Sequence, residues 1–222
     1  MPRYREISWN GDDKYCTTLE VFSCKIIVGW NNGQIAIYNS VDLHCQTTLN
    51  YCRNESCVDC LQCTGTEIIA GYDDGNICVW NFEKEILLLQ ISARNENDGR
   101  DKSYATCMRW RDPKLVIGTS DGRIQISQYV SSSLTLLGGW NTKTYRICDV
   151  HFNKSYVILQ PSDKSQPVSV HHFNGQKFRS ISSPRGICRV ALHENYTENT
   201  MHCKLALRCN GSGKCLVCIR KR

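Results

Sequence analysis

A fifteen-residue pattern that recurs along the chain places the strongest constraint on its fold. Residues 25–39 (KIIVGWNNGQIAIYN) and 67–81 (EIIAGYDDGNICVWN) align without gaps and share six identities, and residues 114–128 (KLVIGTSDGRIQISQ) follow the same template. Self-similarity at a period of roughly 40–45 residues is typical of proteins built from stacked structural units. The sequence therefore predicts a repeat protein.

Each copy of the pattern predicts a β-hairpin. A short apolar run is followed by a polar turn that ends in glycine, and strict alternation of apolar and polar residues comes next. A positive φ angle is expected at the last turn residue, where glycine lacks the Cβ that would cause strain. The turn glycines are Gly33, Gly75 and Gly122. With a period of two, the apolar residues after each turn share one face of the strand.

Two weaker copies extend the repeat over the rest of the chain, at residues 156–170 and 204–217. A further strand is predicted before each hairpin, and each such strand opens with a cysteine at an equivalent position of the repeat: Cys16, Cys57, Cys107, Cys148 and Cys188. Fourth strands are predicted at residues 44–49, 86–91, 134–138 and 177–181.

These units predict one domain, residues 1–222, with repeats at about 15–50, 56–92, 105–139, 147–182 and 187–222. Four short strands per unit, with no helical pattern, favour an all-β fold. The expected architecture is a β-propeller of about five four-stranded blades.

The third strand of the second repeat resembles the WD-repeat family. Residues 79–81 (Val-Trp-Asn) stand where that family has its Trp-Asp pair, and residues 73–75 and 120–122 match its Asp-bearing turn. The family's Gly-His dipeptide is missing, which implies that its Asp-His-Ser-Trp hydrogen-bond chain does not form. The resemblance implies a non-enzymatic scaffold that holds other proteins. By analogy alone, it extends to the substrate-binding part of F-box ubiquitin-ligase receptors, although the sequence has no F-box-like segment.

The sequence leaves two alternatives for closure of the ring. The fifth repeat ends at its third strand, whereas residues 4–9 read as a strand outside any repeat. Residues 4–9 would then supply the missing fourth strand and remove two exposed sheet edges. Alternatively, the chain is a partial propeller or a short form of a longer one.

Composition indicates an intracellular protein with free thiols. The N-terminus has no apolar signal segment, and no apolar run is long enough to span a membrane. We therefore expect a cytoplasmic protein, with the nucleus as the alternative, and no membrane partner. The 15 cysteines are expected to remain reduced there and to fill the core as small apolar residues.

No pattern in the sequence predicts catalysis, a metal site or a cofactor. The pairs Cys57/Cys60 and Cys215/Cys218 have C-x-x-C spacing, but they lie on predicted strands and far apart in sequence. Residues 211–214 (Gly-Ser-Gly-Lys) lack the remainder of a phosphate-binding loop. We therefore expect no catalytic residues, no metal ligands and no cofactor.

The predicted partner-binding site is the rim where first strands begin and where second and third strands turn. Arginine and aromatic residues are common in protein-binding hot spots. The candidates are Arg53, Trp30, Tyr72, Tyr145, Arg146 and Arg185. Arginines can grip acidic or phosphorylated peptides, so we expect proteins or peptides as partners. The alternative is a nucleic-acid-binding propeller with a basic rim, which the modest net charge of +6 disfavours.

Overall fold

The structure is a computed structural model that describes residues 14–51, 56–92, 103–142, 146–163 and 165–181. It also describes the main chain of three strands near the two ends of the chain. All regular structure in these parts is β-strand. None of the described residues lies in a helix that could span a membrane.

Four antiparallel sheets of four strands each follow one another along the chain. Blade 1 contains β2 (Cys16–Phe22), β3 (Lys25–Trp30), β4 (Gln34–Asn39) and β5 (Cys45–Asn50). Blade 2 contains β6 (Val58–Cys63), β7 (Glu67–Tyr72), β8 (Asn76–Asn81) and β9 (Ile86–Ser92). Blade 3 contains β10 (Ala105–Arg111), β11 (Lys114–Thr119), β12 (Arg123–Val130) and β13 (Ser133–Asn141). Blade 4 contains β14 (Ile147–Phe152), β15 (Tyr156–Pro161), β16 (Val168–His172) and β17 (Lys177–Ile181).

A fifth sheet has three described strands, in the order β1 (Arg5–Ile7), β19 (Cys215–Arg220) and β18 (Lys204–Cys209). β1 pairs antiparallel with β19, from Arg5↔Val217 to Ile7↔Cys215. The predicted all-β fold of four-stranded propeller blades is confirmed. The pairing of β1 is the one that the closing-strand hypothesis requires, and closure of the ring itself stays a prediction.

The hairpin turns have the predicted backbone conformation. The φ angles of Gly33, Gly75 and Gly122 are 80°, 86° and 81°, in the region that side chains with a Cβ disfavour. The turn in blade 2 is also held by its own side chain, since Asp74 Oδ1 accepts a hydrogen bond of 2.9 Å from the main-chain N–H of Asn76. This local bonding explains why Asp and Gly occur together there.

The hydrophobic core lies between successive blades. One cluster joins blades 1 and 2 and includes Ile27, Ile35, Val58 and Leu61. Equivalent clusters join blade 2 to blade 3 and blade 3 to blade 4. Because both faces of an interior blade are buried, its second and third strands are apolar on consecutive residues and alternate less strictly than the strands of an open sheet.

The blades meet most closely at a glycine in each second strand. These glycines are Gly29, Gly71 and Gly118, and each contacts the first residue of the next blade: Val58, Ala105 and Ile147. A Cβ placed on Gly71 would lie 2.9 Å from Ala105 Cβ, and one on Gly118 would lie 2.8 Å from Ile147 Cγ2. No larger residue fits without displacing a blade. We call each of these three contacts an inter-blade joint.

Hydrogen bonds cross the same joints. Thr17 Oγ1 donates to the carbonyl oxygen of Val58 at 2.5 Å, and Thr106 Oγ1 donates to that of Ile147. In blade 2 the donor is Cys60 Sγ, 3.5 Å from the carbonyl oxygen of Ala105. Each joint therefore combines close packing with a side-chain donor that satisfies a buried carbonyl.

The cysteines of the first strands do not occupy one repeated core position, so this interpretation of the sequence is wrong. Cys16 pairs with Trp30, whereas Cys107 pairs with Gly118, two residues further into its strand. Cys57 precedes β6, and Cys148 is exposed. Of the four that the structure describes, Cys107 alone is buried. Cys188 lies outside the described residues.

Overpacking the second joint should destabilise the protein. Gly71→Ala is expected to cost about 2 kcal/mol of unfolding free energy, because the new methyl group meets Ala105 and Cys60. Adding Ala105→Gly should recover about 1 kcal/mol of that cost, since it removes one of the clashing groups. Chemical denaturation of the four proteins of this double-mutant cycle would measure the coupling, and strictly additive costs would contradict the joint.

Cys107 should contribute to stability through its burial. Cys107→Ala is expected to cost about 1 kcal/mol, whereas Cys148→Ala at an exposed site should change stability by less than about 0.5 kcal/mol. Burial also raises the pKa of the Cys107 thiol to about 12. Thiol labelling of the native protein should therefore modify Cys107 more slowly than the exposed Cys24 and Cys45. Equal labelling rates would contradict this assignment.

Candidate functional site

The first strand of each blade begins beside the turn between its second and third strands. The main-chain N–H of Tyr15 donates to Asn31 Oδ1 at 2.9 Å, and the N–H of Asn31 donates back to the Tyr15 carbonyl at 3.1 Å. Cys57 with Asp73, and Tyr104 with Ser120, repeat this reciprocal pair. In blade 4 the N–H of Ser162 donates to the Arg146 carbonyl at 2.8 Å. Four equivalent positions result, which we call the entry residues: Tyr15, Cys57, Tyr104 and Arg146.

Among the entry residues, Arg146 makes contacts with two other blades. Its Nη1 donates to the hydroxyl of Tyr104 at 3.1 Å, and its guanidinium lies 5.5 Å from the centre of that ring. Its Nη2 lies 3.3 Å from Asp59 Oδ2 of blade 2. Burial raises the pKa of the Asp59 carboxyl, and the charge of Arg146 opposes that shift. The side chain is 45% exposed, so Arg146 is fixed in place and still accessible.

Two predicted rim residues, Trp30 and Tyr72, are buried. Their exposed fractions are 1% and 0%, so neither ring lies on the exposed surface where the prediction placed it, and a partner-binding role for either stays a prediction. They are the last residues of β3 and β7. Tyr72 packs between blades 1 and 2, and Trp30 packs against other residues of blade 1. Lys14 Nζ lies 4.7 Å from the centre of the Trp30 ring, and Tyr72 stacks on Tyr51 with ring centres 4.1 Å apart. Burial raises the pKa of Tyr72.

Of the other four predicted rim residues, the structure describes Arg146 alone. Arg53, Tyr145 and Arg185 lie outside the described residues, so their role stays a prediction, and Arg146 is placed at the rim. Sequence reasoning missed Tyr15, which is 52% exposed, and Tyr104. Their position is the signal that could have found them, since each directly precedes a first strand.

The rim carries charges of both signs in the described part of the chain. Asp121 accepts hydrogen bonds from Ser103 and Thr119, and it lies 2.7 Å from the Nε of Arg123. Asp59 and Asp73 lie on the same side of their blade as the entry residue Cys57. The uniformly basic rim that a nucleic-acid partner would need is therefore absent from these residues.

The fifth residues of the first strands form a second polar group. These equivalent residues are Glu20, Gln62, Arg109 and His151. Gln62 Nε2 lies 3.3 Å from Glu20 Oε2, and Gln62 Oε1 accepts a bond of 3.0 Å from the N–H of Trp110. Asp149 contacts both Arg109, at 3.5 Å, and His151, at 3.3 Å. We call this group the polar belt.

The polar belt links four blades and has no ligand set for a metal. Within the residues that the structure describes, no group of three or more His, Cys, Asp or Glu side chains is placed to hold a metal ion. The belt's hydrogen bonds and ion pairs are made among these four residues, Asp149 and the neighbouring main chain. It therefore acts as a polar contact between first strands.

The comparison with protein families identifies the first two blades. Residues 9–90 match the family described as the WD40 repeated domain. This part of the chain is therefore similar to WD40 repeats. The resemblance noted at residues 73–81 of the second blade is thereby supported, whereas the F-box type is not. No curated protein sequence matches the chain.

Solved structures show the same fold at low sequence identity. The computationally designed Ika4 protein is 18% identical, with a TM-score of 0.58, over 74% of this chain and 95% of that one. The designed Ika8 protein is 17% identical, with a TM-score of 0.59, over 91% of this chain and 57% of that one. A chain of a mitotic checkpoint complex is 14% identical, with a TM-score of 0.65, over 79% and 53%. This chain thus spans just over half the length of the last two.

The partly buried carboxyl of Glu20 should make stability depend on pH. Burial raises its pKa from 4.5 to about 7, and the charge of Arg109 opposes the shift. Because the folded-state pKa lies above the unfolded one, the native state favours the protonated form. The stability that the Glu20 carboxyl contributes is fully present below about pH 4.5 and is lost as the pH rises through 7.

Glu20→Gln keeps a polar side chain beside Gln62 and removes this titration. Relative to the wild type, the variant should gain about 2 kcal/mol of unfolding free energy between pH 4.5 and pH 8. Urea denaturation of both proteins across that range measures the difference, in which the other titrating groups cancel. A difference that does not change with pH would show that Glu20 titrates normally.

Proposed function

We propose that this chain is a protein-interaction scaffold, and that a partner binds at the entry residues around Arg146. WD40 domains are in general non-catalytic scaffolds, and the proposal includes no reaction. The observation that carries it is Arg146 itself, an exposed arginine held by Tyr104 of blade 3 and Asp59 of blade 2. The position of this one surface side chain therefore depends on how blades 2, 3 and 4 are placed relative to one another.

The geometry around Arg146 suits a carboxylate or a phosphate. A guanidinium has five N–H donors in a planar fork, and two of its nitrogens bond Tyr104 and Asp59, which leaves further donors for a ligand. The contact with Tyr104 fixes the plane of the guanidinium, so little side-chain entropy is lost on binding. The proposed partner is therefore a protein segment with an acidic or phosphorylated side chain.

Tyr15 gives this surface an aromatic contact. At 52% exposure it offers a large rigid ring and a hydroxyl, a combination that is common where proteins bind each other. The main-chain pair with Asn31 holds its backbone in place. Tyr15 occupies in blade 1 the position that Arg146 occupies in blade 4, so both belong to one type of surface.

The narrower roles stay predictions. A substrate-binding role in a ubiquitin-ligase complex rests on analogy, and a cytoplasmic or nuclear location stays an expectation from the sequence. A nucleic-acid partner is the weaker alternative, because Asp59 neutralises Arg146 in part and Asp121 pairs with Arg123. Tight phosphate-backbone binding would need unpaired cations along a path.

The test uses arrays of random peptides that carry a fixed glutamate, phosphoserine or serine. Arg146→Ala should lower binding to the acidic and phosphorylated sets at least tenfold, and Arg146→Lys should retain part of it. Arg111→Ala is the matched control. Arg111 also lies over an aromatic ring, 5.8 Å from the centre of Phe152, but it is the last residue of β10, whereas Tyr104 precedes the first. The Arg111→Ala variant should bind normally.

Two outcomes would overturn the assignment. Equal losses in Arg146→Ala and Arg111→Ala would show a general effect of charge. Preferential binding of oligonucleotides, with a steep dependence on salt, would favour the nucleic-acid alternative.

A further inference from the structure

Asp59 is an acidic side chain that contacts the guanidinium of Arg146 directly. Its Oδ2 accepts a hydrogen bond of 3.3 Å from Arg146 Nη2, and it lies in β6, the first strand of blade 2. The Asp59 side chain is 18% exposed, so it is held against the guanidinium more firmly than a surface carboxylate would be. We call Arg146, together with Tyr104 and Asp59, the Arg146 site.

A second carboxylate acts on the same site. Burial is the main cause that raises the pKa of Asp59, Arg146 opposes this shift, and the charge of Asp73 adds to it. The Asp73 carboxylate accepts a bond of 2.9 Å from the main-chain N–H of Cys57, which keeps it at the rim. Among the four entry residues, Arg146 alone is charged. The described charges that act at the site are therefore one positive and two negative.

This charge balance favours a ligand with a single negative charge. Attraction to Arg146 increases in proportion to the charge of the ligand, and repulsion from Asp59 and Asp73 increases with it. The free energy needed to remove water from an ion increases with the square of its charge, so it grows faster than the attraction. A carboxylate carries one negative charge, whereas a phosphoserine carries close to two near neutral pH. The second charge therefore costs more than it gains at this site.

The donors that remain on Arg146 also fit a carboxylate. Two of the five N–H groups of the guanidinium bond Tyr104 and Asp59, so three remain. Two parallel N–H groups satisfy the two oxygens of a carboxylate. A phosphate has three oxygens to satisfy, and proteins that bind phosphorylated segments commonly do so with a cluster of arginines. The described entry residues supply no second cation.

We propose that Asp59 is the specificity-determining residue of the Arg146 site, and that it selects a carboxylate of a partner protein over a phosphate. This inference rests on the proposed function and narrows it. The segment that meets Arg146 carries an aspartate, a glutamate or a free C-terminal carboxylate. Removing the charge of Asp59 frees Arg146 to attract a phosphate, so the preference between the two ligands changes.

The test compares sets of random peptides bound to the full chain at about pH 7.5, where phosphoserine is close to doubly charged. Two sets have an amidated C-terminus and carry glutamate or phosphoserine at the fixed position, and a third carries serine there with a free C-terminal carboxylate. The wild type should bind at least one carboxylate set fivefold or more above the phosphoserine set. The third set distinguishes a side-chain carboxylate from a chain end.

Asp59→Asn keeps an oxygen that accepts the bond from Arg146 and removes the charge. In this variant the ratio of carboxylate to phosphoserine binding should fall at least tenfold. The ratio compares two signals from one protein, so a loss of folded protein lowers both and leaves the ratio unchanged. Asp121→Asn is the matched control, because Asp121 is also a rim aspartate but pairs with Arg123, at 2.7 Å. It should keep the wild-type ratio.

The two proposals fail in different ways. Equal or tighter binding of the phosphoserine set by the wild type, or an unchanged ratio in Asp59→Asn, would overturn the role of Asp59 even where Arg146→Ala loses binding. A shift of the same size in Asp121→Asn would overturn it as well, because the preference would then follow the total charge of the rim. Unchanged binding of every set by Arg146→Ala would overturn the proposed function itself.

Discussion

The close approach of blades at a second-strand glycine is the contact on which the rest of the structure depends. It brings the first strand of the next blade against Gly29, Gly71 or Gly118, where no Cβ could fit. The apolar clusters between blades form because this contact sets the spacing of the sheets. A two-layer β-sandwich could tolerate an alanine by shifting one sheet. A propeller blade is packed on both faces, so a shift on one side is transmitted to the other.

A β-bulge at the start of each first strand allows the joint to form hydrogen bonds as well. The register shifts between the first and third residues of β2, β6, β10 and β14. In a regular strand, neighbouring side chains point to opposite faces. The bulge lets Thr106 and Cys107 both donate to the carbonyl of Ile147. It also explains why cysteine spacing misled the sequence analysis, because the cysteines fall on different sides of the shift.

The fold was predictable from the sequence because its strongest signals are local. The turn glycines need positive φ, and alternation after each turn identifies the third strand, so hairpins and period could be predicted without any long-range contact. The site was less predictable. Trp30 and Tyr72 lie next to turns, yet both are buried. The burial of Tyr72 depends on packing between blades 1 and 2, which a single repeat does not reveal. Tyr104 and Asp59 became candidates only once Arg146 was seen to reach them.

The joint and the candidate site are adjacent along the chain, so the position of the candidate site depends on packing at the joint. Arg146 directly precedes Ile147, the residue that packs on Gly118, so the position of its backbone is set by that joint. Its side chain then reaches Tyr104, which precedes Ala105 at the joint before. The entry residues therefore keep their spacing only while the glycines keep the blades together. Blades 1 to 4 share this constraint, so the proposed binding surface depends on the packing that keeps each glycine against the first strand of the next blade.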